Sequence, residues 1–436
     1  MKRSVIAATV LCTLAAATYF THANKAIADT SAALSPVLPK DIPNPKKVSL
    51  DALQHSFDVF SWQSFIALNW PATADGNPDT SKQIGQVGDM VVWQHYKESR
   101  DIFLPQGKTP PAWGQANPPP RECQAPDGAI VLNQVGKTPN VLDESGEPFQ
   151  TGPLIDQNGL YTRFEILTNK TMFDYIVSNQ LYSQEGQAKF ATDANFPMTN
   201  QSLNKDGAIM IKAAWKVMGE GDDSSNFYTT DAYVYDNPHE NAGVKAHCAL
   251  QKVGLVGFHI GTKVENTPQW VWSTFEHINN VPTQGQPLTK THYNYYNPKC
   301  TDCTVNTPPP RPWNPSNTDT PPSQVMRVIP IDDATKALNA QFHDSLQAAV
   351  PNSVWLNYEL VSTQWPTNAQ STTDPTGAPA PKFLANTTLE TYIQGEVKQT
   401  SSSCINCHNN ATMTTGEFSD FTYLLQRAQA KGESNE

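Results

Sequence analysis

Hydrophobic and polar positions alternate in two distinct periods along this chain. In "DALQHSFDVFSWQSFIALNW" (51–70), Phe57, Phe60, Ser61, Ser64, Ala67 and Leu68 recur at three- and four-residue spacing, which predicts a helix closed by Pro71. A second helix is predicted over 170–190, starting near Thr168 or Asn169, and a third over 333–349. From 207 to 278 the period changes to two. "GAIMIKAAWKVM", "NFYTTDAYVY", "VGLVGFHIGTKV" and "QWVWSTFEHI" are rich in β-branched and aromatic residues and read as strands, as does "VWLNYELVSTQW" (354–365). A last helix is expected from Thr387-Thr388 through "TTLETYIQGEVK".

Proline breaks these patterns. Residues 104–125 read as a long surface loop, and 304–323, "TVNTPPPRPWNPSNTDTPPS", as an extended strap in which Trp313 argues for packing. The fold class expected is α+β: a β-rich central body with flanking helices and long Pro-rich loops, and a C-terminal helical segment packed on it. The chain divides into 1–28, a signal peptide; 29–48, an extended leader; 49–365, the body; 366–381, a linker; and 382–436, the C-terminal segment.

The N-terminus changes the picture. A basic Met1-Lys2-Arg3, an apolar run and Ala26-Ile27-Ala28 have the form of a secretory signal with an A-x-A cleavage site, so export to the periplasm is expected. The run is too short and too rich in Ala and Thr for a membrane span, and none is expected in the mature chain. Loss of Lys2, Arg3 and Lys25 lowers Lys+Arg from 30 to 27 against 41 Asp+Glu, a formal charge near −14. Such acidity argues against nucleic acid as a partner and permits docking to a basic protein, such as a periplasmic redox partner.

Seven cysteines are present. Cys12 leaves with the signal. Cys123, Cys248, Cys300 and Cys303 form an even set in an oxidising compartment and are expected to form disulfides, with three pairings open. Cys300-Thr-Asp-Cys303 lacks the strand-to-helix context of a redox pair. The last two lie in "SSSCINCHNNATM" (401–413), the C-x-x-C-H pattern of covalent haem attachment. Two thiols on adjacent parts of one helical turn can add to the two vinyl groups of a haem edge. One covalent haem c is therefore expected on Cys404 and Cys407, with His408 as proximal iron ligand. A zinc site would need a second cluster nearby, and the other C-x-x-C lies about a hundred residues upstream.

Only 28 residues follow His408, too few to fold over a haem, so the distal wall must come from upstream or the distal position must be open. Strand alternation puts Leu255, Gly257, His259, Gly261 and Lys263 on one face, where the two glycines would leave room for a flat ring beside His259. His259 is the first candidate for a distal ligand and His277 the second, with Met210 and Met218 behind them. Met413 lies too close to His408 to reach the opposite face. His55, His95, His239, His247, His292 and His343 carry no local signal.

With "FSWQSFIALNWP", "IKAAWKV", "GLVGFHIGTKVENTPQWVWSTFEHINNVP", "SCINCHNNA" and "SDFTYLL" the mature chain resembles exported bacterial mono-haem proteins known only as cytochrome c family proteins. The resemblance implies a periplasmic haem protein whose long N-terminal region is integral, with Cys404, Cys407 and His408 as haem residues. It implies no particular substrate. Three uses remain open: single-electron transfer between periplasmic partners; a peroxidase- or oxygenase-like enzyme or gas binder with an open distal site, for which His259, Lys263, Trp270 and Trp272 would be donors or radical relays; and a sensory or interaction protein with structural haem.

Overall fold

Alternating strands build the centre of the computed structural model, which describes residues 32–42, 50–86, 90–132, 152–236, 247–310, 320–367, 379–395 and 402–432. Residues 1–28, expected to be a signal sequence, part of the 29–48 stretch, His239, Trp313 and most of the 366–381 linker lie outside the described residues.

In chain order the elements are α1 (Leu50–Leu68), β1 (Lys97–Glu98), β2 (Val131–Leu132), β3 (Arg163–Thr168), α2 (Lys170–Ser178), α3 (Gln184–Phe190), β4 (Ile209–Val217), β5 (Thr229–Asp236), β6 (His247–Val264), β7 (Thr267–His277), α4 (Asp333–Ala349), β8 (Tyr358–Pro366), β9 (Pro379–Ala380) and α5 (Cys404–His408). The nine strands form one sheet in the order β1-β3-β4-β6-β7-β8-β9, with β5 on the first half of β6 and β2 on β5. Every pairing is antiparallel except β2 with β5. The expected α+β class, with a C-terminal helical segment packed on a β-rich body, is the fold observed.

One face of the sheet is covered by α1 and α4. Trp62 stacks on Phe342 at 4.9 Å and donates its indole N–H to Asn339 at 2.8 Å, while Phe65 stacks on Phe275 at 4.3 Å. Burial of such side chains supplies about 1.5–3 kcal/mol each. Within this apolar layer Asp58 accepts from Thr335 and Thr363, and burial holds its carboxyl up at about 6. The opposite face carries α2, α3 and the C-terminal segment, whose Ile405, Met413, Phe421, Leu424 and Leu425 share a cluster with Met172, Phe173, Phe196, Trp270 and Trp272.

Three expectations need correction. The helix over 170–190 is two helices: Gln180 turns left-handed at φ 55°, and Ser183 caps a new start by accepting from the Gly186 N–H. The helix at Thr387 is a series of turns with a 3-10 turn at Thr391–Ile393. There the side chains of Asn386 and Thr387 bind β7 at Thr274, the Phe275 carbonyl and Glu276, which competes with helical pairing. Finally, the face alternation of β6 holds only from Gly257 onward. Ala214 pairs with Gly257 and Trp215 with Leu255, so Val256 is a bulge, and Leu255 joins Phe258 and Ile260 under α1.

Disulfides join Cys123 to Cys248, which ties the 104–125 loop to β6, and Cys300 to Cys303. Among the described residues no helix is long and apolar enough to cross a membrane. The end of the strap is pinned where the Ser323 N–H donates to the Ile155 carbonyl.

At Gly257 the C-terminal segment packs directly on the sheet, since a Cβ there would lie 2.0 Å from Thr388 Oγ1. At Gly261 the nearest atom would be 3.6 Å away, on Trp270. Gly257→Ala should destabilise the fold by about 1–3 kcal/mol through overpacking, and Gly261→Ala by less than about 0.5 kcal/mol. Urea unfolding of the two variants checks this; equal midpoints would contradict the packing described.

Candidate functional site

The C-x-x-C-H residues form one short helix, α5, seated against β7 and β8. Ser403 caps it by accepting from the Asn406 N–H, and Gln364 of β8 accepts from both the Ser403 hydroxyl and the Ile405 N–H. Cys404, Cys407 and His408 are partly exposed, and neither cysteine is in a disulfide. The same spacing is closed by a disulfide at Cys300–Cys303.

His408 is fixed on two sides. Its ring lies 4.4 Å from Trp272, and Nδ1 is 2.6 Å from the Phe421 carbonyl. A carbonyl only accepts, so Nδ1 carries the proton, and in the neutral ring the lone pair is on Nε2. The Tyr423 hydroxyl donates to the Cys407 carbonyl at 2.8 Å; burial, with Cys407 beside it, pushes that phenol up to about 12. Burial, aided by Glu390 and Cys407, raises the Cys404 thiol well above its ordinary value. A reactive redox thiolate needs the opposite, electropositive environment.

Phe421 is held in place by its neighbour. The Lys263 ammonium pairs with Asp420 at side-chain exposures of 0% and 3%, and Asp420 also accepts from the Phe196 N–H at 2.6 Å. Trp270, Asp420 and Phe421 all have left-handed backbones, φ 71°, 52° and 67°. Such strain costs about 1–3 kcal/mol per residue and gathers where surrounding structure over-determines a site.

The sequence-derived candidates separate. His259 does lie on the face that receives the C-terminal segment, but its Nε2 contacts both carboxylate oxygens of Glu390 at 3.0 and 3.1 Å. Burial pushes the Glu390 carboxyl up, yet His259, Lys212 and the Asn386 N–H outweigh it and hold the group at about 2. The space at Gly257 is taken by Thr388 and Asn386, and that at Gly261 is bounded by the indoles of Trp270 and Trp272. Room for a flat ring is therefore filled by this chain's own residues.

His277 is on the opposite face, stacked on Phe227 at 4.1 Å. Its Nε2 meets the Asn226 carbonyl at 2.8 Å and Nδ1 accepts from the Asn279 N–H, so both ring nitrogens are engaged by backbone. A cavity of about 150 Å³ opens beside it, lined by Arg327, Lys336 and Glu359 among others and not by α5. Met413 is buried in the apolar cluster, and Met218 packs against Gly254. Met210, by contrast, is at the site: it pairs across β4 with Gly261, and its sulfur accepts from the Thr422 hydroxyl at 3.5 Å.

Sequence reasoning missed Glu390, Gln364 and the roles of Asp420 and Phe421. The last two stand in "SDFTYLL", a segment of the resemblance, whereas Glu390 and Gln364 stand in stretches read only as helix and strand. Among the described residues no group of three or more His, Cys, Asp or Glu side chains is arranged to hold a metal ion. No protein-family profile, curated protein or solved structure matches this chain.

Burial, outweighing the bond to Asn226, holds His277 down at about 3. Below about pH 6.5 the unfolded chain binds a proton that the fold refuses, so stability is lost as pH falls from there toward 3. Urea midpoints measured from pH 7 to 4 should fall less steeply in His277→Gln than in the parent. Parallel slopes would contradict a neutral, backbone-bound His277.

Proposed function

We propose that this chain is an exported, periplasmic c-type cytochrome carrying one covalent haem, of the kind its sequence resembles, and that it transfers single electrons between periplasmic partners. The observation that carries this reading is the α5 turn: two thiols three residues apart, neither in a disulfide, followed by an imidazole whose Nδ1 is tied to the Phe421 carbonyl. That donor set fits thioether attachment at Cys404 and Cys407 with His408 Nε2 toward iron.

Bound there, haem would supply one-electron chemistry. The chain's own residues then have definite tasks. Gln364 and Ser403 fix the start of the turn, Phe421 sets the imidazole tautomer, and Trp272 walls the ring. Met210, whose sulfur accepts from the Thr422 hydroxyl on this face, is the upstream residue that would serve as a further iron ligand under electron transfer.

A second reading, a gas or small-ligand binder with an open distal position, is favoured by one observation. His259 is engaged by Glu390 and His277 faces the other way, so neither candidate imidazole is presented to α5. Under that reading the chemistry would be peroxidase- or oxygenase-like.

A haem-stained denaturing gel of protein made in a host competent for c-type maturation should show one stained band, lost in Cys404→Ala with Cys407→Ala. A colourless parent band would refute covalent haem. Addition of carbon monoxide to the ferrous protein then separates the two uses: an unchanged Soret band is the electron-transfer result, and a shifted one the open-site result.

A further inference from the structure

From His408 the aromatic rings do not stop at Trp272. The Trp272 and Trp270 indoles are 6.2 Å apart at an interplanar angle of 34°, Phe196 meets Trp270 edge-on at 6.0 Å, and Tyr175 lies 4.8 Å beyond Phe196. Phe196, Trp270 and Trp272 are buried, at 1%, 0% and 6% exposure. Tyr175, on α2, is only half-buried and lines an open groove of about 580 Å³ beside Met198, Leu203 and Asp206. A file of rings thus runs through the protein from α5 to one place on the surface.

Its parts come from four separate stretches of chain, and the geometry is maintained at a cost. Trp270 keeps a left-handed backbone that a bulky side chain strongly disfavours. Phe196 is anchored by its N–H to Asp420, and the Tyr175 hydroxyl accepts from the Asn195 N–H at 3.0 Å. The same Asp420–Phe421 corner that orients His408 therefore also places the middle of the file.

We propose that Trp272, Trp270, Phe196 and Tyr175 form the route by which single electrons pass between His408 and the groove at Tyr175. Closely spaced π systems offer an electron lower-lying orbitals than aliphatic packing does, so tunnelling through them is faster over an equal span. No ring is oxidised or reduced on balance; one electron leaves a one-electron donor at the groove and arrives at the iron. This inference rests on the haem reading above.

The test uses haem-loaded, full-length protein with a ruthenium polypyridyl sensitiser attached at Met198→Cys in the groove. A reference protein carries the label at Phe418→Cys on the C-terminal segment. Flash excitation with a sacrificial amine gives a reduced sensitiser, and the Soret change times the arrival of its electron. Trp270→Leu and Phe196→Leu should slow the groove route by about an order of magnitude and leave the reference rate unchanged, while Trp270→Phe should restore most of it. Tyr175→Leu, at the half-buried end, replaces any core variant that does not fold. Groove rates unaffected by loss of the rings would overturn the route.

The haem-free Cys404→Ala, Cys407→Ala protein separates the two claims. In it, a cobalt(III) ammine complex takes an electron from the excited groove sensitiser; the oxidised sensitiser then takes one electron from the file and should leave a tryptophan radical cation visible by electron paramagnetic resonance. A radical that never reaches tryptophan overturns the route whether or not haem binds. Radical migration in a protein whose parent shows no Soret band overturns the haem reading and leaves the route standing.

Discussion

The C-terminal segment is held to the sheet by a buried ion pair, Lys263 with Asp420, and the arrangement around α5 depends on it. Burial lowers the lysine and raises the aspartate from their ordinary values, each opposed by the other's charge, so neither is comfortable alone. Loss of one partner from such a pair typically costs about 3–5 kcal/mol, because the survivor remains buried and uncompensated. Asp420 turns the chain so that the Phe421 carbonyl meets His408 Nδ1, and it binds the loop carrying Phe196. One electrostatic contact thus couples β6, the 194–196 loop and the attachment turn.

That coupling ties the residues that follow His408 into the body of the protein. Ile405, Phe421, Leu424 and Leu425 have no core of their own; they complete a cluster whose other members are Met172, Phe173, Trp270 and Trp272. A segment this short buries little surface alone, and here the sheet supplies the missing layer. The two C-x-x-C sequences illustrate the difference that local structure makes. At 300–303 the chain closes into a disulfide, whereas at 404–407 a capped helical turn presents both thiols without joining them.

Much of the fold was legible from periodicity. Helices α1 and α4 stand where the three- and four-residue spacing put them, and the four central strands where alternation put them. What failed was decided by distant contacts. Val256 bulges opposite β4, which turns Leu255 away from the face assigned to it. The "TTLET" stretch is rich in Thr, a weak helix former, and Thr387 and the preceding Asn386 are drawn to Glu276 and Thr274 on β7. At the site, the C-x-x-C-H residues stand together on one short helical turn, as their local spacing implies. Glu390 was not legible, since nothing near it in sequence announces His259, and the glycines flanking His259 lie against Thr388 and two indoles.

With Cys404 and Cys407 carrying haem as proposed, the most direct test of a C-terminal turn built into the body is the haem spectrum and reduction potential of Asp420→Asn, compared with the parent protein. The haem should remain covalently attached, because Cys404, Cys407 and His408 are untouched, while the Soret position, the access of carbon monoxide and the potential should all change as Phe421 and Trp272 lose their hold on His408. A spectrum and potential identical to the parent's would contradict the account and mark the C-terminal segment as an independent module.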